Sequence, residues 1–90
     1  KTLNNMAMDL QYISEERVAV FINGMEEVST NSILEDPQIV ELLTGSVPPQ
    51  IAERDNPLGT VELFLQLFID REEYEVCAKL VEVHPQLCKN

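Results

Sequence analysis

Asn56-Pro57-Leu58-Gly59-Thr60-Val61-Glu62-Leu63-Phe64-Leu65-Gln66-Leu67-Phe68-Ile69-Asp70 is the most apolar stretch of the chain. Asp55-Asn56-Pro57 carries a capping side chain followed by proline, the signature of a helix start. The spacing predicts a helix over Leu58 to Asp70 that is apolar on nearly every side. Such a helix needs neighbours all round it and belongs in the middle of a bundle. Phe64, Leu67 and Phe68 are expected at the centre of the core.

Downstream, Arg71-Glu72-Glu73 is a hinge of a few residues, so the next helix should lie antiparallel to the first. That helix is expected from Glu73 to His84, burying Tyr74, Cys77, Leu80, Val81 and Val83. Pro85 ends it, and Gln86 to Asn90 begins one more turn. Upstream, Ser14 is a good N-cap, and Glu15 and Glu16 put negative charge on a first turn, where the helix dipole favours it. Val18, Phe21, Ile22, Met25 and Val28 then recur on one face, predicting a helix to Val28 with a bend near Gly24. A second helix should run from about Ser32 to Leu43. Pro37 belongs at a helix start, so the alternative is one turn and a new helix from Asp36. Gly45 suits a left-handed C-cap. Pro48 and Pro49 open a short helix to about Arg54. The N-terminal 1–13 segment has weak periodicity and reads as a connector or an extra helix, with the domain itself over 14–90.

The expected fold is therefore all-α, a compact antiparallel bundle of five to six helices. At 90 residues one core is the limit. The apolar share of 44% is too high for a disordered acidic tail. No stretch reaches the roughly 18 uncharged apolar residues of a membrane span. With 6 Lys and Arg against 16 Asp and Glu, the formal charge is −10. Direct nucleic-acid binding would begin with repulsion from every phosphate. A basic protein partner fits instead. Two cysteines are too few for a disulfide-stapled secreted domain, so free thiols and a cytoplasmic setting are expected. The chain starts at Lys1 without Met or a signal segment, as an excised domain of a longer protein would.

Chemistry is harder to find. His84 is the single histidine. It follows Cys77 by seven residues, about 10.5 Å along a helix, beyond the reach of a thiolate–imidazole pair. Its expected role is to sit at its helix end, where the dipole favours it. Cys77, His84 and Cys88 lack a fourth ligand and match no zinc-finger spacing. The adjacent pairs Glu15/Glu16, Glu26/Glu27, Glu35/Asp36 and Glu72/Glu73 point to different sides of a helix. Gly24, Gly45 and Gly59 are isolated, so no phosphate loop exists. No catalytic residue, metal site or cofactor is assigned, and the chain reads as a binding domain rather than an enzyme.

The order of elements resembles the caspase recruitment domain, a branch of the death-fold superfamily. The bent first helix, Ile33-Leu34-Glu35-Asp36-Pro37 leading to Leu42-Leu43, the proline-led short helix and the Asn56-Pro57 turn all follow that order. Thr60 to Phe68 is similar to the family's apolar fourth helix, "A-x-x-L-L-x-x-L", and Tyr74 to the aromatic that opens its fifth. The likeness runs from about Ser14 to Leu87 and is greatest to the versions in cytosolic RNA-sensing and Dicer-related helicases and their adaptor. Where the family has a small apolar pair and Gly after the fifth helix, this chain has Val83-His84-Pro85.

The resemblance implies a signalling module of innate immunity that pairs with other death folds through complementary charged faces. Carried over by position, the acidic face is Glu35, Asp36, Glu41, Glu53 and Asp55. The opposing basic face is nearly missing, with Arg17 on the first helix and Arg71 after the fourth. One side of a hetero-contact is therefore expected, because like-charged copies repel. The competing class is a stand-alone acidic inhibitor, a decoy for a basic nucleic-acid-binding protein. A decoy would line its carboxylates along one elongated face.

Overall fold

The computed structural model describes residues 10–87. Within them the chain forms α1 (Glu15–Gly24), α2 (Thr30–Glu35), α3 (Pro37–Leu43), α4 (Pro49–Ala52), α5 (Pro57–Asp70) and α6 (Tyr74–Val83), followed by a 3₁₀ turn over Pro85–Leu87. Their starts follow the capping chemistry. Ser14, Ser29, Asp36 and Asn56 each accept a hydrogen bond from a backbone N–H of the first turn. Prolines occupy the first position of α3, α4 and α5. There the missing N–H costs nothing.

α5 is central. Its Val61, Leu65, Leu67, Phe68 and Ile69 are buried with Ile33, Ile39, Leu42, Ile51, Cys77, Leu80 and Leu87 in one cluster. The radius of gyration, 12.1 Å, is close to the roughly 12 Å of a folded chain of this size. α6 returns antiparallel to α5 through Arg71-Glu72-Glu73. α1 does not follow the antiparallel expectation. Ile13 approaches Gly59 at the start of α5. Phe21 stacks edge-on against Phe64, with ring centroids 5.2 Å apart. Arg71 at the far end donates from Nη2 to the Met25 carbonyl at 2.7 Å. The two helices therefore run the same way, which the crossover through α2, α3 and α4 permits.

Several boundaries differ from the sequence expectation for identifiable reasons. α1 stops at Gly24 instead of Val28. Glycine weakens the helix there, Arg71 captures the Met25 carbonyl, and Ser29 restarts the chain. Over Ser32 to Leu43 the alternative of a turn and a new helix from Asp36 holds: α2 ends at Glu35, and Asp36 caps α3, its Oδ1 accepting from Gln38 N at 2.8 Å. The helix after Pro49 ends at Ala52 rather than Arg54. Phe64 is only half-buried and lies at the rim of the core, with Leu67 and Phe68 at its centre. Tyr74, expected inside, is 50% exposed at the first position of α6. Leu10 to Ile13 is bent and not helical. The remainder of the connector or extra helix, residues 1–9, lies outside the described residues, as does Cys88.

Both sharp helix ends close by the same device. Gly45, at φ 97°, donates to Leu42 O while Ser46 N donates to Glu41 O. At the end of α5 the matching bonds are Glu72 N to Ile69 O and Glu73 N to Phe68 O, but the left-handed residue is Glu72, at φ 59°. A non-glycine there is strained by roughly 1–2 kcal/mol. Because the Glu72 side chain is exposed, Glu72→Gly should raise stability by about 0.5–1 kcal/mol. Urea unfolding with an unchanged slope checks this; a loss of stability would refute it.

Candidate functional site

All five carboxylates of the expected acidic face are solvent-exposed, but they divide between different hollows. Glu35, from the last turn of α2, and Glu41, from the middle of α3, line one groove of about 630 Å³. Its walls include Pro37, Val40, Pro48 and Pro49, and Val40 is 48% exposed. Glu53 and Asp55, in the turn between α4 and α5, line a second groove of about 680 Å³ together with Arg17 and Arg54. That groove is of mixed sign. Asp36 lies at the edge of a third, smaller hollow, and its carboxylate is already used as the cap of α3.

Two arginines thus line the same groove as Glu53 and Asp55. Arg54 is adjacent to Asp55 in the chain, but only the parallel packing of α1 on α5 brings Arg17 there. Arg71, counted as part of a sparse basic face, is half-buried and donates to Met25 O and, at 3.2 Å, to Thr30 Oγ1. Its role is to hold the α1–α2 turn.

The buried polar groups were the least visible in sequence. His84 is buried, and its Nε2 lies 2.7 Å from Leu42 O. With Nε2–H as donor, the ring ties the end of α6 to the Leu42 carbonyl near the end of α3 rather than to a carbonyl of its own helix. Glu62 is 1% exposed. Its Oε1 accepts from Tyr12 N and Ile13 N at 3.0 Å, and its Oε2 accepts from Gln11 N at 3.1 Å. A carboxylate in the middle of the most apolar helix was the available signal, since glutamate is rarely buried without partners.

Cys77 is buried and free, and its Sγ–H faces Leu65 O at 3.9 Å. Burial pushes its thiol from an ordinary 9.0 up to about 11; a backbone hydrogen bond at Cys77 opposes this and the Glu73 carboxylate adds to it. The thiolate is the reactive form. Reagents that alkylate free thiols at about pH 8 should therefore leave Cys77 intact until the chain unfolds, as peptide-resolved mass spectrometry would report. The unfolded chain gives up this proton first. The stability tied to Cys77 is thus complete below about pH 9 and declines as pH rises towards 11. Melting should fall more steeply between about pH 8 and 10.5 in the wild type than in Cys77→Val.

Among the described residues, no three His, Cys, Asp or Glu side chains gather as they would around a metal ion. Nor is any described helix long and apolar enough to cross a membrane. No family model matches the sequence, and no curated protein or solved structure matches it either.

Proposed function

We propose that the chain is a non-catalytic recruitment module, resembling a caspase recruitment domain, that binds the basic face of another cytoplasmic protein. The observation that carries this reading is the groove between α3 and α4. Glu35 and Glu41 stand exposed at its sides, its walls carry apolar Val40 and prolines, and the whole chain bears a charge of −10. A surface of that kind speeds association with a basic partner and repels a second copy of itself. Exposed acids also lie at both ends of α1, at Glu15, Glu16, Glu26 and Glu27, and along α6 at Glu75 and Glu82. That spread favours recruitment over a decoy built on one face.

Charge reversal tests the reading. Asp36 is a poor choice, because its loss as a cap costs about 1 kcal/mol on its own. Glu35→Lys with Glu41→Lys changes only exposed charges and should leave the melting temperature within a few degrees of wild type. With the chain as bait and the captured protein identified by mass spectrometry, this variant should lose a partner that Glu26→Lys with Glu27→Lys keeps. Capture should also weaken as salt shortens the screening length from about 10 Å at 0.1 M. Equal capture by both variants, or indifference to salt, would remove the acidic-groove mechanism.

A further inference from the structure

A hollow of about 140 Å³ opens between the end of α1, α2, α3 and α5, with Met25, Val28, Ile33, Ile39 and Phe64 as its apolar walls. It is held open from behind. Arg71 fixes the Met25 carbonyl and Thr30, so the turn that carries Met25 and Val28 is tied at both ends. Phe64 is braced edge-on by Phe21. The mouth is accessible, with Val28 37% exposed and Phe64 half-buried. An apolar cavity of about 150 Å³ accommodates benzene, so this volume fits one phenyl or leucyl side chain.

The surroundings specify the charge of what enters. Asp36 stands at the lip. Gln38 lines both this hollow and the groove that holds Glu35 and Glu41. A segment that placed a side chain in the hollow would set its neighbouring residues beside Asp36 and, across Gln38, in the field of Glu35 and Glu41. Lysine or arginine there gains from the field, and an acidic segment is excluded. We infer that this hollow is the anchor site of the recruitment surface and takes a single leucine or phenylalanine from a partner segment in which Lys or Arg flank that residue. The inference rests on the recruitment reading and adds the chemistry of the partner to it.

Selection of a displayed random-peptide library on the immobilised chain tests both levels. The expected peptides are basic and share one Leu or Phe. Alanine at that residue should weaken binding at least about tenfold by fluorescence anisotropy, as for a hot-spot anchor. Ser32→Phe, from the exposed lip, fills the hollow and retains the Ser29 cap. Val28→Lys removes a wall and repels the basic flanks. Each should weaken binding by a similar factor while melting near wild type, whereas Glu53→Lys with Asp55→Lys should change it less than about threefold. If basic peptides are selected but neither their apolar residue nor these variants matter, the anchor site is wrong and the acidic surface stands. If the selected peptides are not basic, if binding ignores salt, or if none is enriched, the recruitment reading falls and the anchor with it.

Discussion

Phe68→Ala should destabilise the chain by about 3–5 kcal/mol, against the roughly 5–15 kcal/mol that holds a small domain together. Phe68 has no exposed surface and shares its cluster with residues of α2, α3, α4, α5 and α6. Truncation would leave a void that the helices cannot readily close, because two polar ties hold several of their ends in place. Arg71 binds the α1–α2 turn, and His84 binds the end of α3. The melting temperature should fall by roughly 15–30 °C. Phe64→Ala provides the contrast. That ring is half-buried and packs against one aromatic partner. Its loss should cost about 1.5–3 kcal/mol, including the 0.5–1.5 kcal/mol of an edge-on aromatic pair. If the two variants melt together, the centre of the core does not lie where α5 turns Phe68.

The difference between those phenylalanines marks what pattern reading could reach. Helical spacing, caps and prolines located most of the described helices to within about four residues, and Pro37 offered the split between α2 and α3 as an alternative, because those signals are local. Ser14, Asp36, Asn56 and Gly45 act as their types dictate. The face that a helix buries was less legible. On a helix as apolar as α5, periodicity does not choose between Phe64 and Phe68; the parallel approach of α1 decides it. Long-range polar contacts were invisible for the same reason. Arg71 and Met25 are 46 positions apart, and His84 and Leu42 are 42 apart. The acidic face was legible as exposed carboxylates. Its division among separate hollows was not, since Arg17 comes to share one with Glu53 and Asp55 only through the tertiary fold.

Glu62→Leu should be the most informative substitution in the chain, at a cost of about 2–4 kcal/mol. Leucine suits a buried helix position, so by hydrophobicity alone the change should stabilise α5. The opposite is expected because the carboxylate is the acceptor for Gln11 N, Tyr12 N and Ile13 N, and its removal strands all three. The segment has other ties. Asn56 Nδ2 donates to Tyr12 O at 2.9 Å, and Tyr12 Oη donates to Gln86 O at 3.2 Å. Gly59 lets it approach, since a Cβ there would stand 2.8 Å from Ile13 Cδ1 and 2.5 Å from Asn56 Nδ2. The cost is bounded, because the segment can leave α5 and bond to water instead. Hydrogen exchange separates these outcomes. In Glu62→Leu the amides of residues 11–13 should lose protection while those of α6 keep theirs. Glu62→Gln should fall between, since it retains the oxygen shared by Tyr12 and Ile13 but turns an N–H₂ group towards Gln11 N. Were Glu62→Leu to melt at or above the wild type with residues 11–13 still protected, the buried carboxylate would not be what fastens the N-terminal segment to the bundle.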